Sequence, residues 1–128
     1  LYQKDTKYYQ NKYKFVENIF LQILGGEPLS QNIEYYTTLF SHIKILKEKL
    51  KKELNLNLNL EVATNLVSLK FREKEWIELF KDFNNNNLII STSYEIDTRR
   101  FNNKNYNTWI ENIDILKENN IKLDLNFI

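Results

Sequence analysis

The chain has 128 residues, 42% of them hydrophobic and 27% charged, and its 18 basic and 17 acidic side chains leave a net charge of +1. That length suits one ordinary domain, which buries about two-thirds of its unfolded surface without needing disulfides. The charge balance excludes the global positive field of a general polyanion binder, no run of about 18 apolar residues spans a bilayer, and the lack of cysteine excludes disulfides and thiolate metal sites supplied by this chain.

The composition is skewed toward residues with A+T-rich codons: 19 Asn, 15 Lys, 14 Ile and 18 Leu stand against one Ala (Ala63), two Gly, one Pro and three Arg. Rare residues therefore carry more information than common ones. Both glycines and the only proline fall within positions 25 to 28. The N-terminus lacks a signal-peptide pattern and begins at Leu1, so the expectation is a fragment of a longer chain, with a reducing, cytoplasmic setting compatible with the absence of cysteine.

Residues 4 to 15 are polar, with Tyr9, Tyr13 and Val16 at helical spacing, which predicts a first amphipathic helix. Here Lys4, Lys7, Lys12 and Lys14 interleave with Tyr2, Tyr8, Tyr9 and Tyr13, the ingredients of single-strand nucleic-acid binding. The near-zero net charge favours an ordinary surface helix instead. Residues 19 to 24 read two ways, as a helical stripe through Tyr13, Val16, Phe20 and Leu24, or as a short buried strand ended by Gly25-Gly26.

After Pro28, Ser30 reads as an N-cap, and Ile33, Tyr36, Phe40, Ile43, Leu46 and Leu50 recur at helical steps to about residue 53. The period then becomes two: Leu54, Leu56, Leu58, Leu60 and Val62 alternate with Asn and Glu, a strand ending near Thr64-Asn65. A helix through residues 58 to 83 competes, but its stripe runs into Lys70 and Glu73. From Arg72 the period is helical, with Trp76, Phe80 and Phe83 on one face. Residues 88 to 94 read as a strand with Ile89, Ser91 and Ser93 on one side. A helix follows, N-capped by Asn105, with Tyr106, Trp109 or Ile110, Ile113 and Leu116 inward and Asn119-Asn120 as its stop; residues 121 to 127 alternate as a last strand.

With residues 19 to 24 as a strand, the order is β-α-β-α-β-α-β, which favours an α/β fold with a parallel sheet built by right-handed crossovers. The alternative is α+β, with two N-terminal helices and a small mixed sheet. The usual chemistry is sparse. His42 sits beside an apolar helical stripe, no phosphate-binding glycine loop is present, and the pairs Glu78 with Asp82 and Asp114 with Glu118 read as solvated helix faces before they read as Mg²⁺ ligands. Arg72, Arg99 and Arg100, the only arginines, fall near the C-terminal edge of such a sheet, where guanidinium forks bind carboxylates or phosphates. Gly25-Gly26-Glu27-Pro28 reads either as a helix stop or as a glycine turn at a strand's C-terminal end, where α/β folds bind ligands and where Glu27 can accept hydrogen bonds from an amine.

The string Ile23-Leu24-Gly25-Gly26-Glu27-Pro28-Leu29 resembles the GGEP motif of radical S-adenosylmethionine (SAM) enzymes, which follows the second strand of their partial (β/α) barrel. Val62-Ala63-Thr64-Asn65 is similar to the T-N-G ending of their third strand, with Leu66 at the glycine position. Ser91-Thr92-Ser93-Tyr94, with Asp97 and Arg100-Phe101, is similar to the fourth strand and its loop, and residues 121 to 128 to the fifth. The resemblance implies a partial (β/α) barrel fragment that binds SAM and initiates hydrogen abstraction on a substrate. Gly25, Gly26 and Glu27 would hold the amino group of SAM, Ser91 and Ser93 would lie near its ribose or carboxylate, and Arg72, Asp97, Arg99 and Arg100 become candidates for anion or substrate binding. It also implies a [4Fe-4S] cluster whose cysteine triad is expected upstream of Leu1, making the remainder of a longer chain, or a protein partner, part of the working unit. A non-catalytic interaction domain or degenerate barrel, and a nucleic-acid-associated domain, are the competing functions.

Overall fold

The computed structural model describes residues 7–8, 16–84, 87–94 and 103–127. From residue 16 on, the described residues form four strands, β1 (Asn18–Ile23), β2 (Asn57–Ala63), β3 (Leu88–Tyr94) and β4 (Leu123–Phe127), which alternate with three helices, α1 (Ile33–Leu54), α2 (Lys74–Asn84) and α3 (Asn103–Glu118). Short 3-10 turns, Pro28–Ser30 and Leu69–Arg72, precede α1 and α2. The sheet order is β1-β2-β3-β4 and every neighbouring pair is parallel. Residues 18 to 23 are thus a strand, and the α+β alternative with a mixed sheet does not describe this sheet. The protein is α/β with an open parallel sheet.

The registers sort the side chains onto two faces. Ile19 lies beside Leu58, Leu21 beside Leu60 and Ile23 beside Val62, while Leu60 and Val62 pair with Leu88 and Ile90. This face packs against Tyr36, Phe40 and Ile43 of α1, Trp76, Phe80 and Phe83 of α2, and Trp109, Ile113 and Leu116 of α3 in one core. Leu60, Val62, Phe80, Leu88, Ile90 and Leu116 are at most 1% exposed, and each such burial stabilises the fold by about 2 kcal/mol. The opposite face carries Phe20, Gln22, Asn59, Glu61, Ser93, Asp124 and Asn126 and stays accessible to solvent. Parallel sheets are ordinarily apolar on both faces. Here Gln22 Nε2 donates to Glu61 Oε2 at 2.7 Å across the polar one.

Several boundaries differ from the sequence pattern for local reasons. The N-cap of α1 is Asn32, whose Oδ1 accepts from the Tyr35 amide at 2.8 Å, and not Ser30, which belongs to the 3-10 turn capped by Glu27. Leu54 is the last residue of α1, not the first of β2, because Asn55 turns left-handed (φ 54°) behind it. Leu46 is 44% exposed, so the buried stripe of α1 stops at Ile43 and is only partly covered beyond. Arg72 ends a 3-10 turn and α2 starts at Lys74. α3 begins at Asn103, which puts Asn105 inside the helix; Trp109 faces inward while Tyr106 and Ile110 are exposed. Ile121 packs in the core ahead of β4. Of the predicted first helix only Lys7 and Tyr8 are described, and both are helical; its other residues lie outside the described set. Among the described residues no helix is long and apolar enough to cross a membrane.

Candidate functional site

The site is built from two loops at the C-terminal edge of the sheet. Beyond β1, Gly25 (φ 89°) and Gly26 (φ 49°) both adopt backbone conformations that favour glycine. A Cβ at either would meet nothing within 4 Å, so conformation and not crowding demands glycine here. The turn delivers Glu27, whose carboxylate caps the 3-10 turn. Its Oε1 accepts from the Leu29 amide at 3.2 Å and from the Thr64 hydroxyl at 2.6 Å, and its Oε2 accepts from the Asn65 amide at 2.9 Å. The loop beyond β1 is thereby tied to the loop beyond β2.

The second loop makes its own short-range bonds. Thr64 Oγ1 accepts from the Leu66 amide at 3.1 Å and Asn65 Oδ1 from the Val67 amide at 3.0 Å, the self-capping turns that Thr and Asn favour. Leu66 is left-handed (φ 59°) and fully buried. The position where the resemblance expects glycine therefore has a glycine-like backbone with a leucine side chain on it. Asn112 of α3 donates to the carbonyls of Leu66 at 2.9 Å and Ser68 at 3.0 Å.

A cavity of about 290 Å³ lies between these loops and the strand ends, lined by Gly25, Gly26 and Glu27, by Ala63, Thr64 and Asn65, by Ser91 to Ser93, and by Asn126. Register explains the convergence: Ala63 pairs with Ser91, and Ser93 with Asn126, so parallel strands end side by side at one edge. Five residues expected from the sequence, Gly25, Gly26, Glu27, Ser91 and Ser93, share this cavity. Both glycines of the chain and its only alanine line it. Among the described lining residues Glu27 is the only one with an acidic or basic side chain, so this part of the site complements a cation or a hydrogen-bonding neutral group better than an anion.

Other expected residues go elsewhere. Arg72 pairs with Glu111 of α3 and does not line the cavity. Asp97, Arg99 and Arg100 lie outside the described residues, as do Lys4, Lys12, Lys14, Tyr2, Tyr9 and Tyr13 of the Lys/Tyr segment. His42 is exposed on α1. Asp82 pairs with Lys44, and among the described residues no group of three or more His, Cys, Asp or Glu could hold a metal. The pattern reading missed Asn126 and did not place Ala63 in the site; the rarity of alanine in this chain was the available signal for the latter.

The segment that follows Glu27 is braced by two further side chains. The Tyr36 hydroxyl donates to the Pro28 carbonyl at 2.7 Å, and burial, then Tyr35 and Glu27, push its pKa from 10.0 to about 12. The Lys70 ammonium donates to the Leu29 carbonyl at 2.6 Å and to the Gln31 carbonyl, with the Trp76 ring centroid 4.9 Å away. No family model, curated protein or solved structure matches this chain.

Proposed function

We propose that the cavity binds S-adenosylmethionine and that the protein is the SAM-binding part of a radical SAM-like partial barrel. The observation that carries this reading is the convergence of Gly25, Gly26, Glu27, Ser91 and Ser93 on one cavity at the C-terminal edge of a parallel sheet. Strand order 1-2-3-4 with helices on one face supports this reading over a doubly wound sheet, since a partial barrel wound this way would turn the polar face to its lumen.

The lining suits the ligand's chemistry. The ammonium and sulfonium charges of SAM are complemented by Glu27, the exposed main chain at Gly25-Gly26 can accept from the ammonium, and Ser91, Ser93 and Asn126 supply hydroxyl and amide partners for ribose. A volume of about 290 Å³ sits at the small end of ligand pockets, roughly 300–1,000 Å³, and suits one end of the ligand with the rest on the open face of the sheet. A [4Fe-4S] cluster does not fit this chain, which has no cysteine to ligate it. When bound, SAM would supply an activated carbon–sulfur bond; this chain's residues would bind and orient its polar groups.

Calorimetric titration with SAM tests the reading, with S-adenosylhomocysteine as the uncharged-sulfur comparison. Binding of SAM, stronger than that of the thioether and weakened at least tenfold in Glu27→Ala, is the expected result. No heat at millimolar SAM overturns it. A second reading, an interaction module, has one observation in its favour: edge strand β1 and the residue after it expose Phe20 (64%), Leu21 and Leu24 (62%). A strictly monomeric protein in sedimentation, with no partner retained, removes that reading.

A further inference from the structure

Two consecutive glycines are a weak foundation for a binding site, because they lose more backbone entropy on ordering than any other pair and a ligand must supply what the fold does not. Something must therefore hold the exit of the turn. Glu27 holds it from within, through Thr64 and Asn65. A second tie crosses in the opposite sense. Lys70, on the 3-10 turn beyond β2, reaches back to the carbonyls of Leu29 and Gln31, on the far side of the turn that Glu27 caps.

The ammonium is caged on three sides, by two carbonyls and by the face of Trp76 at 4.9 Å. Hydrogen bonds from a charged donor are stronger than neutral ones, and the cation–π contact adds to them. The base of the cage is itself fixed: Ser68 Oγ accepts from the Lys70 amide at 3.2 Å, and Asn112 grips the Ser68 carbonyl at 3.0 Å. Trp76 is 2% exposed and cannot swing away.

We propose that Lys70 is a positioning residue, whose ammonium, held over Trp76, locks the segment 29–31 and so presets the Gly25-Gly26 turn for its ligand. The ligand arm of the test rests on SAM binding; the conformational arm does not. Because Gly25 and Gly26 are the only glycines, protein labelled with ¹⁵N-glycine gives two backbone amide signals that report the turn directly. Lys70→Met is expected to shift or broaden both signals and to weaken SAM binding about tenfold, the size expected for loss of charge-assisted hydrogen bonds. Lys70→Arg, which keeps the charge and the donors, is expected to restore them in part. Arg72→Met removes the neighbouring ion pair to Glu111 and is expected to leave both signals in place. Unchanged signals in Lys70→Met overturn the proposal, and so do equal shifts in Arg72→Met, which reduce Lys70 to general support of its loop. Should Lys70→Met not fold, Lys70→Gln is read against the same two signals. Shifted glycine signals in Lys70→Met together with no SAM binding by the wild-type protein overturn the ligand and leave the positioning role standing.

Discussion

The loops beyond β1 and β2 solve one backbone problem in opposite ways. Both need positive φ at the C-terminal edge of the sheet. The first uses Gly25 and Gly26, exposed and with open space where a Cβ would go. The second uses Leu66, whose left-handed backbone costs about 1–2 kcal/mol but whose fully buried side chain returns about 2–3 kcal/mol. Asn112 adds a hydrogen bond to its carbonyl. Where the loop stays exposed, the side chain is absent; where the loop faces the core, burial compensates the strain.

The largest expected effect tests the second loop. Leu66→Ala is expected to lower stability by about 3 kcal/mol through the cavity it leaves, and Leu66→Gly, which relieves the left-handed strain, by about 1 kcal/mol less. Urea denaturation reads both, and a glycine variant less stable than the alanine variant breaks the comparison. Next comes Tyr36, beneath the first loop. Its pKa is raised from 10.0 to about 12, chiefly by burial, so the folded state favours the neutral phenol. The unfolded chain loses that proton first as pH rises. Stability is therefore full below about pH 10 and declines between about 10 and 12, by on the order of 2–3 kcal/mol for this group. Tyr36→Phe is expected to remove that share of the alkaline decline while costing about 1 kcal/mol at neutral pH for the lost bond to Pro28; unfolding at pH 8 and pH 11 gives the difference.

Asn112→Ala leaves the buried Leu66 carbonyl and the partly buried Ser68 carbonyl without this donor and is expected to cost about 2 kcal/mol in the same assay. The smallest stability effect belongs to the first loop. Gly26→Ala adds a methyl into open space and pays only for φ 49°, about 1 kcal/mol. On the proposal that this cavity binds SAM, Gly26→Ala is nevertheless expected to weaken that binding, measured by titration; wild-type affinity in this variant would mean that the turn's conformation is irrelevant to the proposed ligand.

Much of this was legible in the chain itself. The period-two run from Leu56 to Val62 identified β2, and Trp76, Phe80 and Phe83 identified the inner face of α2. The faces of β3 followed from alternation alone, with Ser91 and Ser93 on the side opposite Leu88 and Ile90. Caps were less legible, because Asn and Ser are both good caps and Asn is everywhere in this chain; which of Ser30 and Asn32 caps α1 depends on the turn that Pro28 and Glu27 make first. Asn126 was invisible as a site residue, since an Asn in an edge strand carries no mark until Ser93 is placed beside it.

The sequence by itself determined where the chain can bend and which side chains share a face, because glycine, proline and hydrophobic period act over a few residues. It marked Gly25-Gly26 as the place where the backbone opens. Only the tertiary structure decided that residues 18 to 23 are a strand, because an edge strand owes its state to hydrogen bonds with residues 57 to 62 and not to its own pattern. It alone decided that Glu27 binds Thr64 and Asn65, that Lys70 reaches Leu29, and that a leucine could stand in a glycine's conformation at position 66. Those bonds join residues 37 to 41 positions apart, a separation that no local pattern encodes.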